Sequence, residues 1–215
     1  MTSGPSEHAA GGAAAIQLVL ADDQALVRGA LSALLEMEPD MAVVADVGRG
    51  DEVLDAVHAH RPDVALLDVE MPGADGIAVA AAIRDEAPWC RVLIVTTFGR
   101  AGYLRRAMAA GAAGFVVKDT PARQLADSVR RVHAGLRVVD PALAAESLVL
   151  GDSPLTPREA DTLRAARTGG TVADIARRVH LSEGTVRNHL SSAIGKTGAR
   201  TRAEAVLLAD GNGWL

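Results

Sequence analysis

Five side chains with chemistry to offer stand at the ends of short apolar runs. Asp22 and Asp23 follow IQLVLA (16–21), and Asp68 lies near the end of DVALLDV (63–69). Thr96, followed by Thr97, closes RVLIVTT (91–97), and Lys118 closes AGFVVK (113–118). If these runs are parallel strands of one open sheet, their carboxyl ends share an edge, and ligands bind at that edge. Three adjacent carboxylates repel one another unless a cation joins them. An all-oxygen set with room for water suits Mg²⁺. The ion together with Lys118 would leave a pocket for a phosphoryl group, and the central Asp68 is placed to be the nucleophile that accepts it. Mg²⁺, Lys118 and the Thr96 hydroxyl would each take one phosphoryl oxygen.

A single aspartate at a strand end is ordinarily a cap or turn residue, and a lysine there is ordinarily solvated. The inference rests on five suitable types at successive strand ends. Lys118 adds to it. Of the 22 basic residues, 20 are Arg and only Lys118 and Lys196 are Lys. Arg is a planar fork, whereas Lys is a compact point charge that fits a tight pocket beside a metal ion.

The elements that must position these groups follow from periodicity. The four runs above and MAVVADV (41–47) are near-continuous apolar segments, as strands buried on both faces are. Helical stretches lie between them: a stripe of Leu26, Ala30, Leu31, Leu34 and Leu35, then Val53, Leu54 and Val57, then Ile77, Ala80, Ala81 and Ile83, then 100–110 and 121–133. Pro121 suits a helix start, where its missing N–H costs nothing. Five βα units in succession predict a doubly wound parallel sheet over residues 16–135. Residues 1–15 read as a flexible tail and 136–152 as a linker.

Residues 153–215 contain no strand pattern. Helices are expected at about 157–167, 171–179, 182–196 and 201–210. Thr156, Pro157 and Glu159 form a capping box with proline at the first helical position. The second helix buries Val172, Ile175, Ala176 and Val179, HLSEG makes a turn, and Ser182 caps the third. That third helix has an apolar stripe of Val186, Leu190, Ala193 and Ile194 and a polar face of Glu183, Arg187, Asn188, Ser191 and Ser192. Helix, short turn and polar second helix make a helix-turn-helix, whose second helix enters the DNA major groove. From the pattern alone, a four-helix protein-interaction module fits as well. On the DNA reading, Arg187 and Asn188 are the base-edge candidates, because Arg pairs bidentately with guanine and Asn with adenine. Thr185, His189, Lys196 and Arg200 are then expected on phosphates.

Composition narrows the classes. The net charge of −5 divides into −7 for residues 1–150 and +2 for 151–215, so the second part is the one suited to a polyanion. One cysteine, Cys90, excludes a disulfide framework and a CxxC metal site and suits a reducing cytoplasm. No apolar run is long enough to span a membrane, and the N-terminal stretch lacks the basic start of a signal peptide. His58, His60, His133 and His180 read as cap, core or solvated groups, and Trp214 as a packing or dimer contact. Aromatics are 2% of the chain, so the core must be aliphatic.

Residues 16–133 resemble the receiver domain of two-component response regulators, through Asp22-Asp23, LLDVEMPGADG around Asp68, TTFG after the fourth run and GFVVKDTP around Lys118. Residues 155–208 resemble the LuxR-type DNA-binding domain, through LTPRE, IARRVHLSEGTVRNHL and RTRAEAV. Together they are similar to the NarL/FixJ type of regulator. The resemblance implies a flavodoxin-like (βα)5 receiver that accepts phosphate on Asp68 from a sensor histidine kinase, with Mg²⁺ held by Asp22, Asp23, Asp68 and the Glu70 backbone carbonyl. It implies a switch pair of Thr96 and Phe115, with Phe115 following Thr96 inward, and a phosphate lifetime tuned by Glu70 and Phe98. It further implies a homodimer on double-stranded operator DNA, no enzyme activity beyond slow self-phosphorylation and self-dephosphorylation, and no membrane partner. Three positions depart from the family pattern. Phe115 lacks the hydroxyl of the common tyrosine. Thr197 replaces a leucine. Gly195 sits within the recognition helix, where it costs about 0.5–1 kcal/mol relative to Ala and loosens the last turn.

Two other readings use the same residues. A small Mg²⁺-dependent phosphatase or phosphotransferase would also need paired acids, Asp68, Thr96 and Lys118. Against it, the nucleophile ends the third run rather than the first, and no substrate cap domain is present. A DNA-binding regulator switched by ligand or partner would leave the intact acidic set without a purpose.

Overall fold

The computed structural model describes residues 14–97, 99, 101–141, 143–145 and 153–215. Strands β1 (Ile16–Ala21), β2 (Met41–Val47), β3 (Val64–Leu67), β4 (Arg91–Thr96) and β5 (Gly114–Val117) alternate with helices α1 (Ala25–Glu36), α2 (Val53–His60), α3 (Gly76–Glu86), α4 (Ala101–Ala109) and α5 (Ala122–His133). A sixth strand, β6 (Val138–Val139), follows. The sheet order is β2-β1-β3-β4-β5-β6, with every strand pairing among the described residues parallel.

Side-chain alternation explains the double winding. Leu18 and Leu20 of β1, Val64 and Leu66 of β3, and Leu93 and Val95 of β4 point to the face covered by α1 and α5. Ala21, Ala65, Leu67, Val92 and Ile94 point to the face covered by α2, α3 and α4. With both faces covered, each strand must be apolar throughout, and the period-two signal disappears from the sequence.

The sixth strand corrects one expectation. Val138 and Val139 fall in the segment read as a linker, yet they pair with Gly114 and Phe115 of β5. Leu143 is buried in the same core as Phe115. Two valines are too short a run to register as a strand without the β5 edge that receives them.

The α1 stripe is also corrected. Leu35 is buried and Leu31 packs against the core, but Leu26 is 87% exposed and Leu34 is 42% exposed. Helix α1 carries small or apolar residues on most sides, so periodicity did not separate the packed face from the free one.

The C-terminal part folds as α6 (Pro157–Ala166), α7 (Val172–Val179), α8 (Glu183–Thr197) and α9 (Arg202–Gly211). Leu163, Ile175, Val186, Ala193, Ala205 and Ala209 form its core, with Trp214 packed against it. Thr156 and Glu159 form the expected capping box, and Thr171 with Asp174 forms a second one. Ser182 caps α8 by accepting from the Thr185 N–H at 3.1 Å. Helix α8 runs unbroken through Gly195, with the Thr197 hydroxyl donating to the Ala193 carbonyl at 2.8 Å.

The two parts meet where α9 approaches α4. The Tyr103 hydroxyl lies 3.3 Å from Asp210 Oδ2, and Arg167 reaches the same oxygen at 3.3 Å. Arg105 donates to the Asn212 carbonyl at 3.3 Å. Backbones touch here: a Cβ on Gly102 would lie 2.0 Å from the carbonyl carbon of Asn212, so only glycine allows this approach.

Candidate functional site

Sheet order decides where the acids meet. Strand β1 has β2 on one side and β3 on the other, so the chain leaves β1 at a point where successive connections diverge to opposite sides. Such a switch point opens a crevice beyond the strand ends. Register does the rest. Ala21 pairs with Leu67, which sets Asp22 beside Asp68, and the Asp68 N–H donates to the Ala21 carbonyl at 2.8 Å. The Lys118 N–H donates to the Thr96 carbonyl at 2.8 Å, bringing the end of β5 beside the end of β4. Helix α3 closes over the site from its N-terminus. A Cβ on Gly76 would lie 1.9 Å from the Asp68 carbonyl oxygen, a contact that requires glycine.

Each carboxylate has a defined setting. Asp22 accepts the Gln24 N–H at 2.9 Å on one oxygen and pairs with Lys118 Nζ at 2.7 Å on the other. Asp68 accepts the Val69 N–H at 2.7 Å and pairs with the same Nζ at 2.8 Å. Asp23 is exposed, and its carboxylate has no partner among the described residues. Ligand oxygens of Asp22, Asp23 and Asp68 lie within 4.8 Å of one another. A cavity of about 90 Å³ lined by Asp23, Gln24, Asp68, Glu70 and Thr97 opens onto them. A wider cleft of about 510 Å³, bounded by Asp23, Glu70, Met71, Arg106, Arg167 and Asp210, continues from it toward the helical part. An unpartnered carboxylate beside two buried ones, with room for water, fits a small hard cation such as Mg²⁺.

Burial dominates the electrostatics. It holds the Asp68 carboxyl above the usual aspartate value despite the hydrogen bond from Lys118, and the neighbouring Asp22 charge adds to the rise. Burial works against the Lys118 ammonium too, but its hydrogen bonds to Asp22 and Asp68 outweigh that, and its pKa lies above the ordinary lysine value. Lys118 is thus a fixed positive charge at the mouth of Asp68.

The remaining expected residues divide. Thr96 is buried at the end of β4. Glu70 is exposed at the cavity rim. Phe98 lies outside the described residues. Phe115 is fully buried on β5, between β4 and β6. Phenylalanine has no hydroxyl to hold its ring at the water boundary, and the apolar core takes it whole.

In the helix-turn-helix, Glu183, Arg187, Asn188, Ser191 and Ser192 lie on the exposed face of α8. Arg187 pairs along the helix with Glu183 at 2.7 Å. Thr185 shares its hydroxyl with the Ser182 cap at 2.8 Å, His189 is half-buried, and Arg200 is exposed just beyond α8. Ser192 and Lys196, exposed on the same helix, also have a partner in the protein. Ser192 Oγ donates to Glu159 at 2.6 Å, and Lys196 Nζ pairs with Glu159 at 2.7 Å. Glu159 is 5% exposed, and a carboxylate so buried must be compensated. The polar ends of Ser192 and Lys196 serve that purpose, while both residues stay exposed to solvent. The capping motif pointed to Glu159 as a helix-start residue; its second task depends on a helix about thirty positions later and left no local signal.

Arg28 was missed altogether. From the end of the first turn of α1 its guanidinium donates to the Asp22 backbone carbonyl at 2.6 Å and to Asp46 at 2.7 Å.

Comparison with known proteins matches residues 18–130 to the response regulator receiver domain and 153–209 to the bacterial regulatory proteins of the luxR family. The uncharacterized transcriptional regulatory protein YvfU of Bacillus subtilis is 41% identical over 200 residues, covering 93% of this chain and all of that protein. The transcriptional regulatory protein DesR of the same organism is 38% identical, over 93% of this chain and 99% of the relative. The DNA-binding transcriptional activator DevR/DosR of Mycobacterium tuberculosis is 35% identical, over 90% and 94%. Among solved structures, the response regulator ChrA of a heme-sensing two-component system is 30% identical with a TM-score of 0.57, over 92% of this chain and 98% of that one. A structure of two RcsB dimers bound to two parallel DNAs shares the fold at 20% identity, with a TM-score of 0.66 over 92% and 98%. A flavodoxin-like receiver joined to a LuxR-type helix-turn-helix places this chain in the family of DNA-binding transcriptional response regulators of two-component systems.

Proposed function

We propose that the chain is phosphorylated on Asp68 by a sensor histidine kinase, with Mg²⁺ at Asp22, Asp23, Asp68 and the Glu70 carbonyl, and that phosphorylation favours a homodimer on double-stranded operator DNA. The observation that carries this reading is Lys118 Nζ lying 2.8 Å from Asp68 and 2.7 Å from Asp22, beside the unpartnered Asp23. A cation and a fixed ammonium on either side of a buried, central carboxylate are what an incoming phosphoryl group requires.

The step is a displacement at phosphorus. An Asp68 carboxylate oxygen forms the new P–O bond while the P–N bond to the donor imidazole breaks, and the imidazole leaves with the bonding electron pair and takes up a proton. Mg²⁺, when bound, supplies charge neutralisation for the phosphoryl oxygens. Lys118 holds another oxygen, and the Thr96 hydroxyl turns toward a third. A water later attacks phosphorus, the bond from phosphorus to the Asp68 oxygen breaks, and inorganic phosphate leaves as Asp68 returns to its carboxylate. Glu70, at the rim of the cavity, borders the path of that water, and the family resemblance gives Phe98 the same tuning task.

Thr96 ends β4, and α4 follows within a few residues. Reorganisation at Thr96 therefore bears on α4, the helix that α9 contacts through Tyr103 and Gly102. On α8, Arg187 and Asn188 are the base-reading pair, with Thr185, His189, Ser191 and Ser192 around them and Arg200 just beyond the helix. The setting is cytoplasmic; no helix among the described residues is long and apolar enough to cross a membrane.

The test is phosphoryl uptake from acetyl phosphate with Mg²⁺, alongside DNA footprinting at stated salt with and without the donor. Wild-type chain is expected to take up one phosphoryl group and bind its operator more tightly, and Asp68→Asn to do neither. Uptake by Asp68→Asn at the wild-type rate would overturn the assignment.

A further inference from the structure

The geometry points to Arg28 as a positioning residue for the cation site. This rests on the phosphoryl-acceptor reading above and adds a residue that does not itself touch the ion.

The carbonyl that Arg28 grips at 2.6 Å belongs to the peptide joining Asp22 to Asp23. Asp22 is held elsewhere as well. Its N–H donates to the Val47 carbonyl at 3.2 Å, and its carboxylate is taken by the Gln24 N–H and Lys118. Asp23 has no such help, since its carboxylate lacks a partner among the described residues. The plane of the Asp22–Asp23 peptide is therefore what aims Asp23, and Arg28 fixes that plane.

Arg28 is itself fixed. Its Nε pairs with Asp46 at 2.7 Å, at the end of β2, and its side chain is 20% exposed. Gly48 leaves it little slack, because a Cβ there would lie 3.3 Å from Nη1. The planar fork spans a carbonyl on one arm and a carboxylate on the other, which a lysine cannot do. The ion pair also offsets the guanidinium charge, so the contribution to a neighbouring cation is geometric more than electrostatic. Residues that orient metal ligands commonly change affinity by 10–100-fold when removed.

Mg²⁺ affinity, measured by calorimetry on the unphosphorylated full chain, tests this. Arg28→Ala is expected to weaken Mg²⁺ binding about tenfold, and Arg28→Lys to recover part of the loss. The Mg²⁺ concentration for half-maximal phosphoryl uptake should rise by the same factor, while the rate at saturating Mg²⁺ stays near wild type. A purely structural role would lower thermal stability without that split. Asp46→Asn, at a half-exposed position that touches Arg28, should shift the affinity in the same direction by roughly threefold, and it decides the matter if Arg28→Ala fails to fold. Wild-type Mg²⁺ affinity in folded Arg28→Ala, or in Asp46→Asn where that variant decides, overturns the inference. A wild-type chain that binds Mg²⁺ but takes no phosphoryl group would strike the phosphoryl reading and leave the role of Arg28 standing.

Discussion

Lys196 Nζ lies 2.7 Å from Glu159 Oε2, so the last turn of the recognition helix is tied to the first turn of α6. A basic side chain expected on the DNA backbone is paired instead with a buried carboxylate of the protein. Lys196→Ala should therefore leave the slope of log affinity against log salt unchanged, where loss of a phosphate contact would reduce it by about 0.9. It should instead lower folding stability by about 1–3 kcal/mol, because Glu159 stays buried with one partner fewer. Binding isotherms across a salt series, with denaturant unfolding of the same protein, separate the two outcomes.

Glu159 gives that contact a pH dependence. Burial raises its pKa, but the hydrogen bonds from Lys196, Ser192 and Thr156 win and bring it to about 2, against an ordinary 4.5. A carboxylate depressed in the folded state stabilises the fold above its unfolded pKa and loses that contribution as pH falls through the folded value. The stabilisation is then complete above about pH 5, declines below 4.5 and is lost as pH falls through about 2. Denaturant unfolding of the helical part at pH values stepped through this window checks it. Glu159→Gln should be less stable at neutral pH and show a flatter acid limb.

Gly102 tests the contact between the two parts of the chain. Its φ is not in the left-handed region, so alanine suits α4 and raises its helix propensity. The new Cβ, however, would fall 2.0 Å from Asn212 backbone and cannot be accommodated while α9 is docked. Gly102→Ala is expected to open the molecule, with a radius of gyration larger by a few ångström in small-angle scattering and an unchanged receiver melting transition. The docked state is also imperfect: Asp210 Oδ1 and Trp214 Nε1 are buried without a hydrogen-bond partner among the described residues. Tyr103→Phe, which removes a hydrogen bond from the same place, should act in the same direction and more weakly. An unchanged radius in Gly102→Ala would show that this contact is not populated in solution.

Much of the molecule was legible in the residues alone. Asp22, Asp23, Asp68, Thr96 and Lys118 declared themselves because a parallel sheet places strand ends on one edge, and strand ends are visible as the points where apolar runs stop. Thr156, Thr171 and Ser182 marked helix starts because capping is a local interaction, written within four residues. Family membership followed from these motifs and holds across the chain. What local sequence could not decide were contacts between positions far apart in the chain. Whether Leu26 or Leu35 packs depends on where the sheet lies. Val138 and Val139 become a strand because β5 offers them an unpaired edge. Lys196 pairs with Glu159 because folding buries a carboxylate within its reach, Phe115 is inside because β6 and Leu143 cover it, and Arg28 matters because β2 ends beside β1. Short-range physics leaves its signature in spacing; burial and long-range pairing are settled only when the chain closes on itself.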